Sequence, residues 1–185
     1  MRKTKIVVRV MIIIVCVLLQ MSFVSAASYK VSVKKYAQEK SNWCWAACSQ
    51  MMGNYYLKNY SQSTICKHVK GKVVNKGASL KEVTKALQYS TKKPVVQGGR
   101  IAFKGIRKAL KNKKPLVLRM QWNVGGGHVY VVSGARDASG PQLKGLYLID
   151  PVKGHANAWA GYASLVNGVS LASGTGYYSH SWTIN

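Results

Sequence analysis

Gln38-Glu39-Lys40-Ser41-Asn42-Trp43-Cys44-Trp45-Ala46-Ala47-Cys48-Ser49-Gln50-Met51-Met52 is the stretch on which the reading of this chain turns. A polar lead-in meets a cysteine flanked by two tryptophans, and apolar residues then recur at 44, 47, 48, 51, 52 and 55. That spacing puts them on one face of a helix running from Trp43 to about Tyr56. A helix start carries unpaired N–H groups and the positive end of the dipole, so a thiol placed there is readily made a thiolate. Cys44 is therefore a candidate nucleophile. Such a thiol needs a base, a group to orient the base, and donors for the oxyanion it creates.

Upstream, residues 1–26 read as a secretory signal peptide. Arg2, Lys3, Lys5 and Arg9 form the positive region, Val10 to Leu19 the apolar run, and Val24-Ser25-Ala26 the small-residue cleavage site. The remainder, 27–185, is long enough for one domain with a real core. Cys16 leaves with the leader, so Cys44, Cys48 and Cys66 remain. An odd count outside the cell points to one bridge and one free thiol. Cys44 and Cys48 lie one turn apart on the same helix, a poor geometry for a bridge. A Cys48–Cys66 bridge, leaving Cys44 free, is the expected pairing. The three cysteines have no four-ligand spacing, and no metal or cofactor is expected.

The chain carries 28 Lys plus Arg against 4 Asp plus Glu, a formal net charge of +24. Such a protein is drawn to polyanions, including cell-wall polymers and anionic membranes. The basic residues are scattered, with no RNA-binding or zinc-finger pattern, so a solvated basic surface rather than a specific nucleic-acid site is expected.

The mature chain predicts helices first and strands second. Residues 28–36 read as an extended lead-in strand, and 61–69 as a short helix. Ser79-Leu80-Lys81-Glu82 is a capping-box pattern opening a helix to about Tyr89. Apolar positions 102, 103, 106, 109 and 110 predict another, ended by Lys111-Asn112-Lys113-Lys114-Pro115. After Pro115 the pattern changes. Leu116–Met120, His128–Ala135, Leu143–Ile149 and Tyr177–Ile184 read as strands, with Gly125-Gly126-Gly127 and Ser139-Gly140-Pro141 as punctuation and a short helix near 162–166. The expected class is α+β with an antiparallel sheet. Trp43 and Trp45 are expected to pack and wall a cleft, and Trp159 and Trp182 to be core.

Four histidines are available as base. His128 follows three glycines and opens the apolar strand Val129-Tyr130-Val131-Val132, which would hold its ring rigidly while the bare backbone admits a substrate. His155, in a Gly-His loop, reads as surface; His68 and His180 have no supporting context. Among so few acids, Asp150 closes the apolar strand Leu146-Tyr147-Leu148-Ile149 just before Pro151, where it reaches the imidazole if that strand pairs with the one from His128. Asp137 is expected in the turn between these strands. Gln38, six residues before Cys44, offers an amide that with the Cys44 backbone N–H would stabilise an oxyanion.

Gln38, Cys44-Trp45-Ala46, the Gly-His strand at His128 and Asp150-Pro151 together resemble papain-like cysteine peptidases. In their detailed form they look most like the small bacterial branches: double-glycine (bacteriocin-processing) peptidases, staphopains and effector proteases of plant-pathogenic bacteria. The resemblance implies a two-lobed papain-like fold, with a helical lobe at about 38–115 and a sheet lobe at about 116–185. It also implies a thiolate–imidazolium pair of Cys44 and His128 held by Asp150, where papain itself has asparagine. Residues 27–37 leave no room for a long inhibitory prosegment, so restraint by a separate proteinaceous inhibitor is one expectation.

The leading expectation is thus a secreted, monomeric cysteine endopeptidase acting on proteins or peptides. The rival readings are a cell-wall amidase or endopeptidase acting on peptidoglycan, a transglutaminase-like acyltransferase, and a catalytically silent cationic binding module. The first lacks its usual Asp-Cys-Ser/Gly context here.

Overall fold

In the middle of the sheet, successive residues such as Leu116-Val117-Leu118 and Val129-Tyr130-Val131-Val132 are all buried. A strand is apolar on both sides only where both faces of its sheet are covered. The computed structural model describes residues 27–137 and 144–185. The expected signal peptide, the Ser139-Gly140-Pro141 turn and Leu143 lie outside them.

The eight described strands are β1 (Ala27–Lys30), β2 (Val95–Gly98), β3 (Leu116–Trp122), β4 (Gly127–Asp137), β5 (Gly145–Ile149), β6 (Ala158–Gly161), β7 (Val169–Leu171) and β8 (Gly174–Ile184). They pair in the order β2-β8-β3-β4-β5-β6, with β1 on β4 and β7 on β8. All pairings are antiparallel. β1 extends the edge of β4 that β3 leaves: Leu116 pairs with Val132, and Lys30 with Gly134.

The helices are α1 (Cys44–Tyr55), α2 (Gln62–Lys70), α3 (Leu80–Thr91), α4 (Phe103–Lys111) and α5 (Tyr162–Asn167). Helices α1 to α3 cover one face of the sheet, where Met51, Leu87, Val117, Val131 and Trp182 share a core. Helices α4 and α5 cover the other, where Ile106, Leu110, Leu118, Leu148 and Leu165 share a second. The α+β class is as expected.

Several expectations are corrected by the packing. The lead-in strand stops at Lys30, and β1 belongs to the sheet rather than preceding it. Within the stretch expected to form the helical lobe, β2 pairs with β8 and α4 packs on β1 and β4. Helix α1 is not amphipathic in place: Trp45 to Gly53 are all buried, because α3 and β4 enclose it from different sides. Asp137 ends β4 and pairs with Arg107 rather than sitting in a turn. Trp182 is core, but Trp159 is 43% exposed on β6, where it covers Gly145.

Candidate active site

Ser61 caps α2 and Ser79 and Glu82 close a capping box on α3, but no side chain caps α1 and no acid occupies its first turn. The N–H groups at the start of α1 are therefore left for another acceptor. Cys44 stands at that start, partly exposed, in a cleft of about 630 Å³ whose walls include Gln38, Trp45, His128, His155 and Ser173. Trp43 and Trp45 are buried and donate through Nε1 to Val74 O (2.8 Å) and Lys76 O (3.1 Å), which fixes the loop beside the thiol. Of these two, Trp45 lines the cleft and Trp43 does not.

His128 comes from the start of β4. Gly125 and Gly126 turn the chain with positive φ (90° and 72°), and a side chain at 127 would strike Met120 O and the Arg119 guanidinium. The β4–β5 register pairs Val131 with Ile149, so the next step places Asp150 opposite Tyr130, diagonally beside His128. His128 Nε2 and Asp150 Oδ1 lie 3.0 Å apart, and the two residues are only 7% and 2% exposed. The other ring nitrogen is left for Cys44, which lines the same cleft and interacts with His128 electrostatically. Trp122 stacks near-parallel to the imidazole (13° between planes, centroids 6.1 Å apart), and Tyr130 meets it edge-on at 4.7 Å.

The electrostatics follow from this. Burial alone would push the Cys44 thiol up, but the hydrogen bond and charge of His128, with the backbone groups of Val129 and Trp45, bring it below the usual thiol value. Burial would likewise depress the His128 imidazolium, yet the hydrogen bonds to Asp150 and Cys44 and their charges raise it to about 9. Asp150 resists its own burial through donors: His128, Ser173, the Val152 N–H (3.0 Å) and His155 hold its carboxyl well below the usual range. Each member thus favours the charged state of the next.

The structure brings Cys44, His128 and Asp150 together as predicted. Gln38 is also at the cleft, fixed by its N–H to Pro151 O (2.7 Å). Gln62 pins the residues on either side of it, accepting from Glu39 N (3.0 Å) and donating to Ala37 O (2.8 Å). The Gln38 amide donates to Lys40 O (3.0 Å) and Ser41 O (2.8 Å) within its own loop.

The expected Cys48–Cys66 bridge is not formed, and all three cysteines are free. Their thiols point to different carbonyls: Cys48 to Val129 O (3.3 Å), Cys66 to Lys72 O (3.6 Å) and Val74 O (3.5 Å). Burial, then the charges of Cys44 and Asp150, push the Cys48 thiol well up, so the neighbour one turn on from the nucleophile stays protonated.

Two residues of the site escaped the sequence reading. His155 is not a surface residue: its Nδ1 lies 3.0 Å from Asp150 Oδ2 and 3.2 Å from Ser173 Oγ. Ser173, in the turn between β7 and β8, donates to the same carboxylate oxygen. A Gly-His pair five residues past Asp150 was the available signal for His155; Ser173 had none. His68, by contrast, stacks on Tyr89 (centroids 3.9 Å apart), a packing role.

Residues 25–167 match the family described as papain-like cysteine protease AvrRpt2 (Peptidase_C70), and the chain belongs to that family. It is a papain-like cysteine peptidase. No curated protein sequence matches it. Among solved structures it resembles a Bacillus anthracis protein described as a C39-like peptidase (TM-score 0.59, 11% identity, 86% of this chain and 98% of that one). It also resembles the peptidase domain of Streptococcus ComA, a bifunctional ABC transporter (0.56, 14%, 83% and 100%). A third likeness is to a double glycine motif protease from an AMS/PCAT transporter, solved with its leader peptide (0.54, 17%, 85% and 95%). At these identities the likeness is one of fold.

Proposed function

We propose that this chain is an exported cysteine endopeptidase that hydrolyses peptide bonds through Cys44, His128 and Asp150. The observation that carries the reading is the buried His128–Asp150 pair, 3.0 Å between Nε2 and Oδ1, with Cys44 at a helix start in the same cleft as His128. The Cys44 thiolate attacks the scissile carbonyl carbon, and the C=O electron pair moves onto oxygen. The Cys44 backbone N–H, at the uncapped start of α1, and the Gln38 amide receive that oxyanion. For this Gln38 gives up one of its two loop hydrogen bonds. The oxyanion collapses, the C–N bond breaks, and the His128 imidazolium gives its proton to the leaving amine, leaving a thioester on Cys44. Neutral His128 then takes a proton from water as the water oxygen attacks the thioester. Breaking the C–S bond frees the acid and restores the ion pair. Asp150 holds the ring in place and favours the imidazolium throughout.

A peptide substrate is supported by the open cleft and by the leader peptide bound to the related double glycine motif protease. Export rests on the leader at 1–26, and the high positive charge suits an anionic wall or membrane at the site of action. Restraint by a separate inhibitor and action as a monomer belong to the same proposal. A peptide-library digest by wild type and Cys44→Ala tests it, with amines added as alternative acceptors. Hydrolysed peptides that disappear with Cys44→Ala support the reading; amine-linked products without cleavage would make the enzyme an acyltransferase instead.

A further inference from the structure

Arg119 is the cation that the chemistry above leaves unused. It lies in β3 opposite Val129, whose side chain belongs to the core shared with α1 and α3, and it lines the same cleft as Cys44. Unlike the surface lysines it is clamped. Its Nη1 donates to Gln121 Oε1 (2.6 Å) and Ser179 Oγ (3.2 Å), and its Nη2 to Gly126 O (2.8 Å). A guanidinium has five N–H groups, so the Nε–H and one Nη2–H have no partner among the described residues.

The clamp contains no carboxylate. The chain has four acids. Asp150 is taken by His128 and His155, Asp137 by Arg107 and Glu82 by Lys70, while Glu39 forms no ion pair among the described residues. The Cys44 thiolate acts on Arg119 through its charge, but it is shared with His128 and makes no hydrogen bond to the guanidinium. A partly buried cation fixed in this cleft is therefore costly unless a further anion pairs with it. Opposite it on β8, His180 leaves its buried Nδ1 without a partner. Leu80 and Val83 also line the cleft, and an apolar wall strengthens charge pairing. Gly127 matters here as well: a Cβ would come within 2.7 Å of the guanidinium carbon, so bare backbone lets Arg119 lie against the strand leading to His128.

We propose that Arg119 is a specificity determinant whose guanidinium binds a carboxylate of the substrate beside the scissile bond, so that the enzyme favours an acidic side chain at one position of its cleavage site. The proposal rests on the peptidase reading above. The two unpaired N–H groups supply the fork that a carboxylate fits, and the three existing bonds hold it still.

The test takes one well-cleaved peptide and places Glu or Gln in turn at each position flanking the bond, with C-terminal acid and amide versions of each. Wild type is expected to favour Glu over Gln at one position by about ten- to a hundredfold in kcat/KM. Arg119→Gln should bring that ratio close to one, and Arg119→Glu should turn the preference toward Lys. Because each ratio is taken within one enzyme, a general loss of activity from a loosened Gly126 does not imitate the effect. Should Arg119→Gln fail to fold, Arg119→Lys, which keeps the charge and loses the fork, is expected to weaken the preference without abolishing it. A Glu/Gln ratio unchanged in these variants would overturn the proposal, as would a preference confined to peptides with a free C-terminal carboxylate. Failure of the peptidase reading would appear differently, as wild type that cleaves none of the peptides, and would overturn both.

Discussion

His128 Nε2 and Asp150 Oδ1 are 3.0 Å apart, and their residues are almost fully withdrawn from solvent. This bond commits one ring nitrogen and leaves the other for Cys44. Replacing Asp150 by Asn removes the charge that helps keep the imidazole protonated. The expected result is a fall in kcat/KM of about a hundredfold or more. The alkaline limb of the pH profile, set in wild type by His128 at about 9, should move to lower pH. A full pH–rate profile of both enzymes measures both effects.

The same shifts make stability depend on pH. His128 has a folded pKa raised above its unfolded value of about 6.5. Its stabilisation is fully present below that value and is lost as pH rises through about 9. Cys44, with its pKa lowered, works in the opposite direction over the same range, so Cys44→Ala should expose the His128 contribution. In that variant the Asp150 share of the rise remains and the Cys44 share is gone. The melting temperature by scanning calorimetry is therefore expected to fall as pH rises above about 6.5, over a window that closes below 9, and Cys44→Ala/His128→Gln to lose this slope. On the acid side, the Asp150 contribution is present above about pH 4 and is lost as pH falls through its depressed pKa.

Gln62 is 1% exposed and ties Ala37 and Glu39 on either side of Gln38, while its Nε2 also donates to Gln50 Oε1 (3.1 Å). Gln62→Ala leaves three polar groups without their partner. A loss of about 1–3 kcal/mol in urea unfolding is expected. With Gln38 no longer pinned, kcat should fall by about tenfold. Alkylation of Cys44 should continue at the wild-type rate, since Gln62 makes no contact with His128.

Because Cys48 and Cys66 are free thiols, reductant should not change the melting temperature. Both should react with a thiol reagent in unfolded protein without prior reduction. A melting point that drops on adding reductant would restore the bridge.

What the sequence made legible was chemistry placed close to a motif. Cys44 announced itself by its helix start, His128 by three glycines before an apolar strand, and Asp150 by the end of another. The capping box at Ser79 and Glu82 was also legible, since a cap is local in the chain. What stayed hidden depends on packing across the fold. Strands β2, β6 and β7 are three or four residues long, too short to show an alternating pattern, and exist because β8 and β5 offer them edges. Ser173 reaches Asp150 from 23 residues away through a turn that only the fold brings near. The expected bridge came from counting cysteines, and a count does not contain the direction in which Cys48 and Cys66 point.

The central claim is that Cys44 is held as a thiolate by His128, and the pH dependence of its alkylation by iodoacetamide, read by mass spectrometry beside peptide cleavage, tests it most directly. The account predicts that native enzyme is labelled at Cys44 alone, that labelling titrates below the usual thiol value of about 8.5, and that activity disappears in step with it. Labelling of Cys48 at a similar rate, or a Cys44 that titrates as an ordinary thiol, would contradict it.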